Sequence, residues 1–231
     1  MQELSTTPVT HVIFDLDGLL LDTESIYQHG MEDILRKYGK VYTDEVKLKV
    51  VGSKEQDTYR ILVEELNLPV IPDELAKECF AYFKEALERA ELKPGAEKLL
   101  RYCHKKKIPM ALATSSGKET CALKLKRYSE LCSFFSHMVL GSSDGEVVNG
   151  KPAPDIFYVT ARRFCDSPNP KKCLVFEDSY NGVLAAKAAG MQVVMVPEGL
   201  VTPEKQKEAT VVLQTLNDFV PEMFGLPRYD D

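Results

Sequence analysis

A chain of 231 residues with 44% hydrophobic and 28% charged residues and no low-complexity tract has a globular composition, which excludes a fibrous or wholly disordered protein. Its 29 Lys+Arg against 35 Asp+Glu give a net charge of -6, so no overall basic field draws in a nucleic-acid polymer or an acidic membrane surface. Six cysteines without a C-x-x-C pair, no apolar run near the ~18 residues of a bilayer span, and an opening Met1-Gln2-Glu3-Leu4-Ser5 unlike a secretory leader lead us to expect reduced thiols and a cytoplasmic location.

Val9 to Asp15 is a short β-branched and aromatic run, read as a strand buried on both faces that ends in carboxylates. From Glu24 to Leu92 the apolar spacing becomes helical: Ile26, Met31, Ile34 and Leu35, then Tyr59, Ile61, Leu62 and Leu66, then Leu75, Phe80, Phe83 and Leu87. Pro69 and Pro72 break this stretch, and no convincing strand is visible in it. A crossover between parallel strands needs only about a dozen residues, so roughly seventy predict an inserted helical domain. Pro94-Gly95 marks the return. The expected division is a core of 1–23 and 93–231 with an insertion of 24–92.

Strands are then predicted at Pro109–Thr114, His137–Leu140, Cys173–Asp178, Gln192–Val196 and Thr210–Leu213, with helices at Pro154–Phe164 and Asn181–Ala189. This alternation predicts an α/β fold, a Rossmann-like doubly wound parallel sheet core carrying an inserted all-helical domain.

In such a sheet, ligands bind in the crevice at the carboxyl ends of the strands. The first strand ends Asp15-Leu16-Asp17-Gly18, a later one Thr114-Ser115-Ser116, and another Glu177-Asp178. Alone, Asp15 to Gly18 would read as a turn. Four carboxylates from two strand ends aimed at one place are different, because they repel and raise one another's pKa unless a cation joins them. Hard oxygen donors without a Cys/His cluster favour Mg²⁺. Gly145 to Lys151 fits the first seven places of a nucleotide-binding loop, but Pro152 follows where a hydroxyl is needed, so that reading is set aside.

Asp15-Leu16-Asp17-Gly18-Leu19-Leu20-Leu21-Asp22-Thr23 resembles the first motif of the haloacid dehalogenase superfamily. Thr114-Ser115 resembles its second, Lys151-Pro152 its third, and Glu177-Asp178-Ser179-Tyr180-Asn181-Gly182 its fourth. The motifs fall in the family's order over nearly the whole chain, and the helical insertion resembles the family's smaller cap class. More narrowly, Val9-Thr10-His11, Gly18 to Glu24, Pro94 to Leu99, Ala113 to Gly117, Gly190 to Pro197 and Phe224 to Pro227 are similar to the pseudouridine-5'-phosphatase group, with the cap matching less closely.

The resemblance implies a Mg²⁺-dependent phosphatase of a small phosphorylated metabolite, working through a phosphoaspartyl intermediate. Asp15 suits the nucleophile, since a carboxylate needs no prior deprotonation at neutral pH. Asp17 would protonate the leaving alkoxide and then take a proton from water. By resemblance, the metal would take Asp15, the backbone carbonyl of Asp17 and Asp178, with Glu177 bound directly or through water. Thr114, the amides of Ser115 and Ser116, and Lys151 would meet the phosphoryl group.

Asp17 separates phosphotransferases from dehalogenases in this family. Tyr27 stands where a β-phosphoglucomutase carries a His, which favours hydrolysis over mutase action. Glu24, Tyr27 and the loop residues Gly52, Ser53 and Lys54 are the candidates for touching substrate. A closing cap restricts substrates to small monophosphates. Pseudouridine 5'-phosphate leads on resemblance, with glycerol 3-phosphate and 2-deoxyglucose 6-phosphate open. A monomer is expected, with a dimer left open, and no membrane or nucleic-acid partner. The competing class is a metabolite-binding protein without turnover.

Overall fold

The computed structural model describes residues 6–198 and 201–230. The opening Met1 to Ser5, read above for a leader, lies outside the described residues. In chain order the strands are β1 (His11–Phe14), β2 (Leu21–Asp22), β3 (Glu91–Leu92), β4 (Met110–Thr114), β5 (Met138–Leu140), β6 (Cys173–Glu177), β7 (Gln192–Met195) and β8 (Val211–Val212). Six of them form one sheet in the order β5-β4-β1-β6-β7-β8, every pairing parallel.

The period-two alternation of each strand divides its side chains between two cores. Val12, Phe14, Met110, Leu112, Leu174 and Phe176 face one side, where α5 (Ala96–Lys105) and the C-terminal segment with Phe219 and Phe224 cover them. Ile13, Ala111, Ala113, Val175, Val193 and Met195 face the other, beneath α8 (Asp155–Arg162) and α9 (Tyr180–Ala188). Both faces are therefore dry, which is why the strands read as continuous apolar runs.

Between β2 and β3 lie α1 (Glu24–Lys37), α2 (Asp44–Val50), α3 (Glu55–Leu66) and α4 (Pro72–Leu87). Met31, Ile34 and Leu35 of α1 and Leu75, Cys79, Phe83 and Leu87 of α4 recur at helical spacing and close a third apolar cluster of their own. The sequence reading found no strand in this stretch. The structure corrects it at one edge, where Glu91 and Leu92 pair antiparallel with Asp22 and Leu21. Two residues per strand give no alternation to read. The remaining helices are α6 (Lys118–Leu125), α7 (Ser129–Cys132) and α10 (Pro203–Gln206). All six cysteines are unpaired, and Cys79, Cys103, Cys121 and Cys173 are buried. Among the described residues no helix is long and apolar enough to cross a membrane.

Candidate active site

The chain leaves β1 toward β4 on one side and later returns through β6 on the other, so β1 sits at the point where strand order reverses. Immediately after Phe14 the backbone turns: the amides of Leu20 and Leu21 both donate to the Leu16 carbonyl, at 3.0 and 2.9 Å. Gly18 adopts φ +78°, and a Cβ there would strike Asp178 Oδ2. Gly182, at the start of α9, lies so close to Glu177 that a Cβ would overlap its carboxylate. Two motif glycines are thus the space in which two motif carboxylates stand.

Asp15, Glu177 and Asp178 are buried and offer oxygens that all lie within 4.8 Å of one another. Lys151 Nζ sits between two of them, 2.5 Å from Asp15 Oδ1 and 2.5 Å from Glu177 Oε1. The second oxygen of Glu177 accepts from the Asp178 and Ser179 amides, each at 3.2 Å, and from Ser179 Oγ at 3.0 Å. Glu177 is therefore saturated by protein donors. Asp178 is the opposite case: its carboxylate accepts no hydrogen bond and makes no ion pair with any described residue, though it is only 4% exposed.

Burial pushes the Asp15 carboxyl up to about 7 against the pull of Lys151, and Glu177 and Asp17 add to the rise. Burial, then Glu177, Asp15 and Glu24, drive Asp178 well above the ordinary carboxylate range. Burial works against the Lys151 ammonium, but Asp15 and Glu177 outweigh it and keep the lysine charged. A buried acidic pair with one member unpartnered fits a hard divalent cation, which supplies the missing positive charge and accepts oxygen donors.

The carboxylate of Asp17 stands apart from this cluster. Its Oδ1 takes Lys124 Nζ at 2.6 Å and Thr23 Oγ1 at 2.8 Å, and its Oδ2 takes Ser116 Oγ at 2.9 Å. Burial opposes its ionisation, but Lys124, with hydrogen bonds from Lys124, Thr23 and Ser116, prevails and holds it below the usual value. Thr114 closes a short turn in which its hydroxyl accepts the Ser116 amide at 3.1 Å and lies 3.4 Å from Asp17 Oδ2. Two of the donors expected to face a phosphoryl group, the Thr114 hydroxyl and the Ser116 amide, are thus engaged with protein partners. Ser115 Oγ donates to the Gly52 carbonyl at 3.0 Å.

A cavity of about 140 Å³ separates these strand ends from the helical insertion. Asp15, Asp17, Ser115, Ser116, Lys151 and Asp178 form its floor, while Tyr27, Met31, Tyr42, Tyr59 and Phe83 form an apolar roof. Glu24 and Lys47 pair across its edge at 3.2 Å, and Gly52 and Ser53 reach its rim. Of the expected substrate contacts Lys54 is a correction. It does not line the cavity, because its ammonium donates to the carbonyls of Val147 and of Val148, the latter at 3.0 Å, tying the insertion to the core.

Sequence reasoning missed Lys124, Thr23 and Glu55. Lys124 carried a readable signal, a lysine one turn beyond Cys121 on the apolar side of a short helix. Glu55 gave none, since it accepts from Gly117 N at 3.0 Å and Thr120 Oγ1 at 2.6 Å, far along the chain.

A family profile described as haloacid dehalogenase-like hydrolase matches residues 12–196. A Drosophila melanogaster protein named probable pseudouridine-5'-phosphatase is 53% identical over 96% of this chain and 96% of its own. An Arabidopsis thaliana protein named (DL)-glycerol-3-phosphatase 2 is 44% identical over 96% of this chain and 94% of its own. The crystal structure of CbbY from Rhodobacter sphaeroides in complex with phosphate shares the fold, with a TM-score of 0.76 over 91% of this chain and 96% of that one at 19% identity. With that profile spanning both motif-bearing halves and these phosphatases matching from end to end, the chain belongs to the haloacid dehalogenase-like hydrolases and is a phosphomonoesterase among them.

Proposed function

We propose that the protein is a Mg²⁺-dependent phosphatase of a small phosphomonoester, with pseudouridine 5'-phosphate as the leading substrate. The observation that carries this reading is the buried pair at the sheet's reversal point. Asp15 is held by Lys151 through one oxygen, and Asp178 beside it has no protein partner.

Asp15, Asp178 and the Asp17 carbonyl would hold the metal. When bound, Mg²⁺ supplies charge neutralisation for the carboxylates and for the transferring phosphoryl group. Glu177, tied up by Lys151, Ser179 and backbone amides, sets the lysine in place and would join the metal site directly or through water.

In the first half-reaction an Asp15 oxygen forms a bond to phosphorus while the ester P–O bond breaks. The electron pair of that bond passes to the alcohol oxygen, which takes a proton from Asp17. In the second, water attacks phosphorus, gives its proton to Asp17, and phosphate leaves as the bond to Asp15 breaks. Asp17 is ionised in this arrangement, the state needed for the second half. A phosphoryl dianion beside it favours the protonated state needed for the first.

Lys151, the Thr114 hydroxyl and the Ser115 and Ser116 amides would meet the phosphoryl oxygens once substrate displaces the Thr114–Ser116 contact. The aromatic roof of Tyr27, Tyr42, Tyr59 and Phe83 suits a planar base attached to the ester sugar. The Drosophila relative's name points the same way. A polyol or sugar phosphate is the second reading, favoured by the name of the Arabidopsis relative.

Phosphate release across a panel of these esters, with Mg²⁺ and with EDTA, tests the proposal. Asp15→Asn is expected to abolish release on every substrate, and a variant keeping near wild-type turnover would refute the nucleophile.

A further inference from the structure

Lys124 is the largest buried group of the site that the mechanism above leaves without a task. Its side chain is 0% exposed, and it comes from α6, a helix that bears none of the four motifs. An ammonium has three donors and no lone pair, so the direction of every bond it makes is known. One donor goes to Asp17 Oδ1 at 2.6 Å and another to Ser116 Oγ at 2.7 Å. Because the serine oxygen accepts there, its own hydrogen is left to point at Asp17 Oδ2, 2.9 Å away. The ring closes: Lys124 grips one oxygen of Asp17 directly and the other through Ser116. The ammonium lies 5.1 Å from the centre of the Tyr27 ring, which comes from the helical insertion and helps bury the lysine.

We propose that Lys124 is the positioning residue for Asp17, locking the direction of its carboxyl for proton exchange with the leaving oxygen; the inference rests on the phosphatase reading given above. Asp17 lies beyond the end of β1, at an isolated bridge to Leu21 that opens a turn, so the direction of its carboxyl is set by the groups it bonds, Thr23 on one oxygen and the Lys124–Ser116 pair on both. A charge-assisted bond from a dry side chain, doubled through a serine, fixes that direction. Tyr27 meets the ammonium with its ring and its phenol, so the lock depends on the insertion being seated over the core.

Positioning of an acid shows in how the rate depends on the leaving group. An alkoxide needs the proton from Asp17 as the P–O bond breaks, whereas p-nitrophenolate departs as a stable anion. The term kcat/KM covers steps up to the first irreversible one, so it isolates this half-reaction from the later attack by water.

The test compares kcat/KM for p-nitrophenyl phosphate with that for pseudouridine 5'-phosphate or glycerol 3-phosphate, whichever the wild type hydrolyses faster. In Lys124→Met the alkyl ester is expected to lose at least about ten-fold more than the aryl ester, a part of the 10²–10⁴-fold that a positioned acid contributes. Asp17→Asn should show the same split, and the double variant should be no worse on the alkyl ester than Asp17→Asn alone. An equal loss on both esters, or additive losses in the double variant, overturns the proposal. Should Lys124→Met fail to fold, Ser116→Ala removes only the relay and is expected to give a smaller split in the same sense; no split there overturns it equally. A wild-type protein that releases phosphate from neither ester strikes the phosphatase reading itself.

Discussion

A carboxylate buried among other carboxylates, with no donor to answer it, costs folding free energy whenever it is ionised. Asp178 is in that position, while Glu177 next to it accepts four hydrogen bonds, from Lys151, the Ser179 hydroxyl and two amides. Neighbouring side chains of the same chemical class thus meet opposite surroundings. Asp178→Asn removes the uncompensated charge and keeps the volume. In EDTA the variant is expected to be more stable than wild type by about 1 kcal/mol, the order of the relieved repulsion from Glu177, Asp15 and Glu24. A thermal melt without metal checks this, and a variant melting at or below wild type would show that Asp178 is already compensated. The residues of the four motifs were legible because their chemistry sits at strand ends that buried runs announce. Lys124 was harder, because its role exists only once α6 and the turn after β1 come together, whereas Thr23 stood in the first motif without its bond to Asp17 being visible. Lys54 was misread for a related reason: its place in the loop was visible, but the carbonyls of Val147 and Val148 that claim it were not.

At the level of elements, the insertion is seated by polar ties at the start of α3. The Glu55 carboxylate accepts from Gly117 N and Thr120 Oγ1, where the first turn of α6 presents unpaired amides that favour an anion. The Glu55 amide donates to Ser142 Oγ at 2.8 Å, and that hydroxyl donates to the Ser115 carbonyl at 2.6 Å. Asn181 Nδ2 adds a bond to the Val51 carbonyl at 2.9 Å. These bonds tie the insertion to the core, so they act on how firmly the roof is held over the site. Glu55→Ala is expected to raise KM about five- to ten-fold, with kcat changed much less, the equivalent of about 1 kcal/mol or one ordinary hydrogen bond. Steady-state kinetics separates the two, and a loss confined to kcat would place Glu55 in the chemistry. The strands and most helices of this layer were readable from apolar period alone, since burial imposes the period. The ties between layers were not, since a hydrogen bond between positions far apart leaves no mark on local spacing.

For the whole molecule, the three apolar clusters supply stability, while the acidic site would subtract from it without the proposed cation. A ligand that binds only the folded chain stabilises it by RT ln(1 + [L]/Kd), about 2.7 kcal/mol at a hundred times Kd. For a chain of this size that corresponds to a rise in Tm of about 5–10 °C. Mg²⁺ should produce this rise in wild type, EDTA should reverse it, and Asp178→Asn should lose most of it. A Tm indifferent to Mg²⁺ in wild type would argue against a metal at this place.

The short ribbon of β2 and β3 bears on how such a molecule diversifies. Leu21 and Asp22 lead out of the sheet and Glu91 and Leu92 lead back beside them, so departure and return share one doorway. Whatever length of chain is spliced between those residues, the order of the six strands and the carboxylates at their ends is undisturbed. Selection can therefore rewrite the recognition of the ester's organic part through that doorway while leaving the phosphorus chemistry in place.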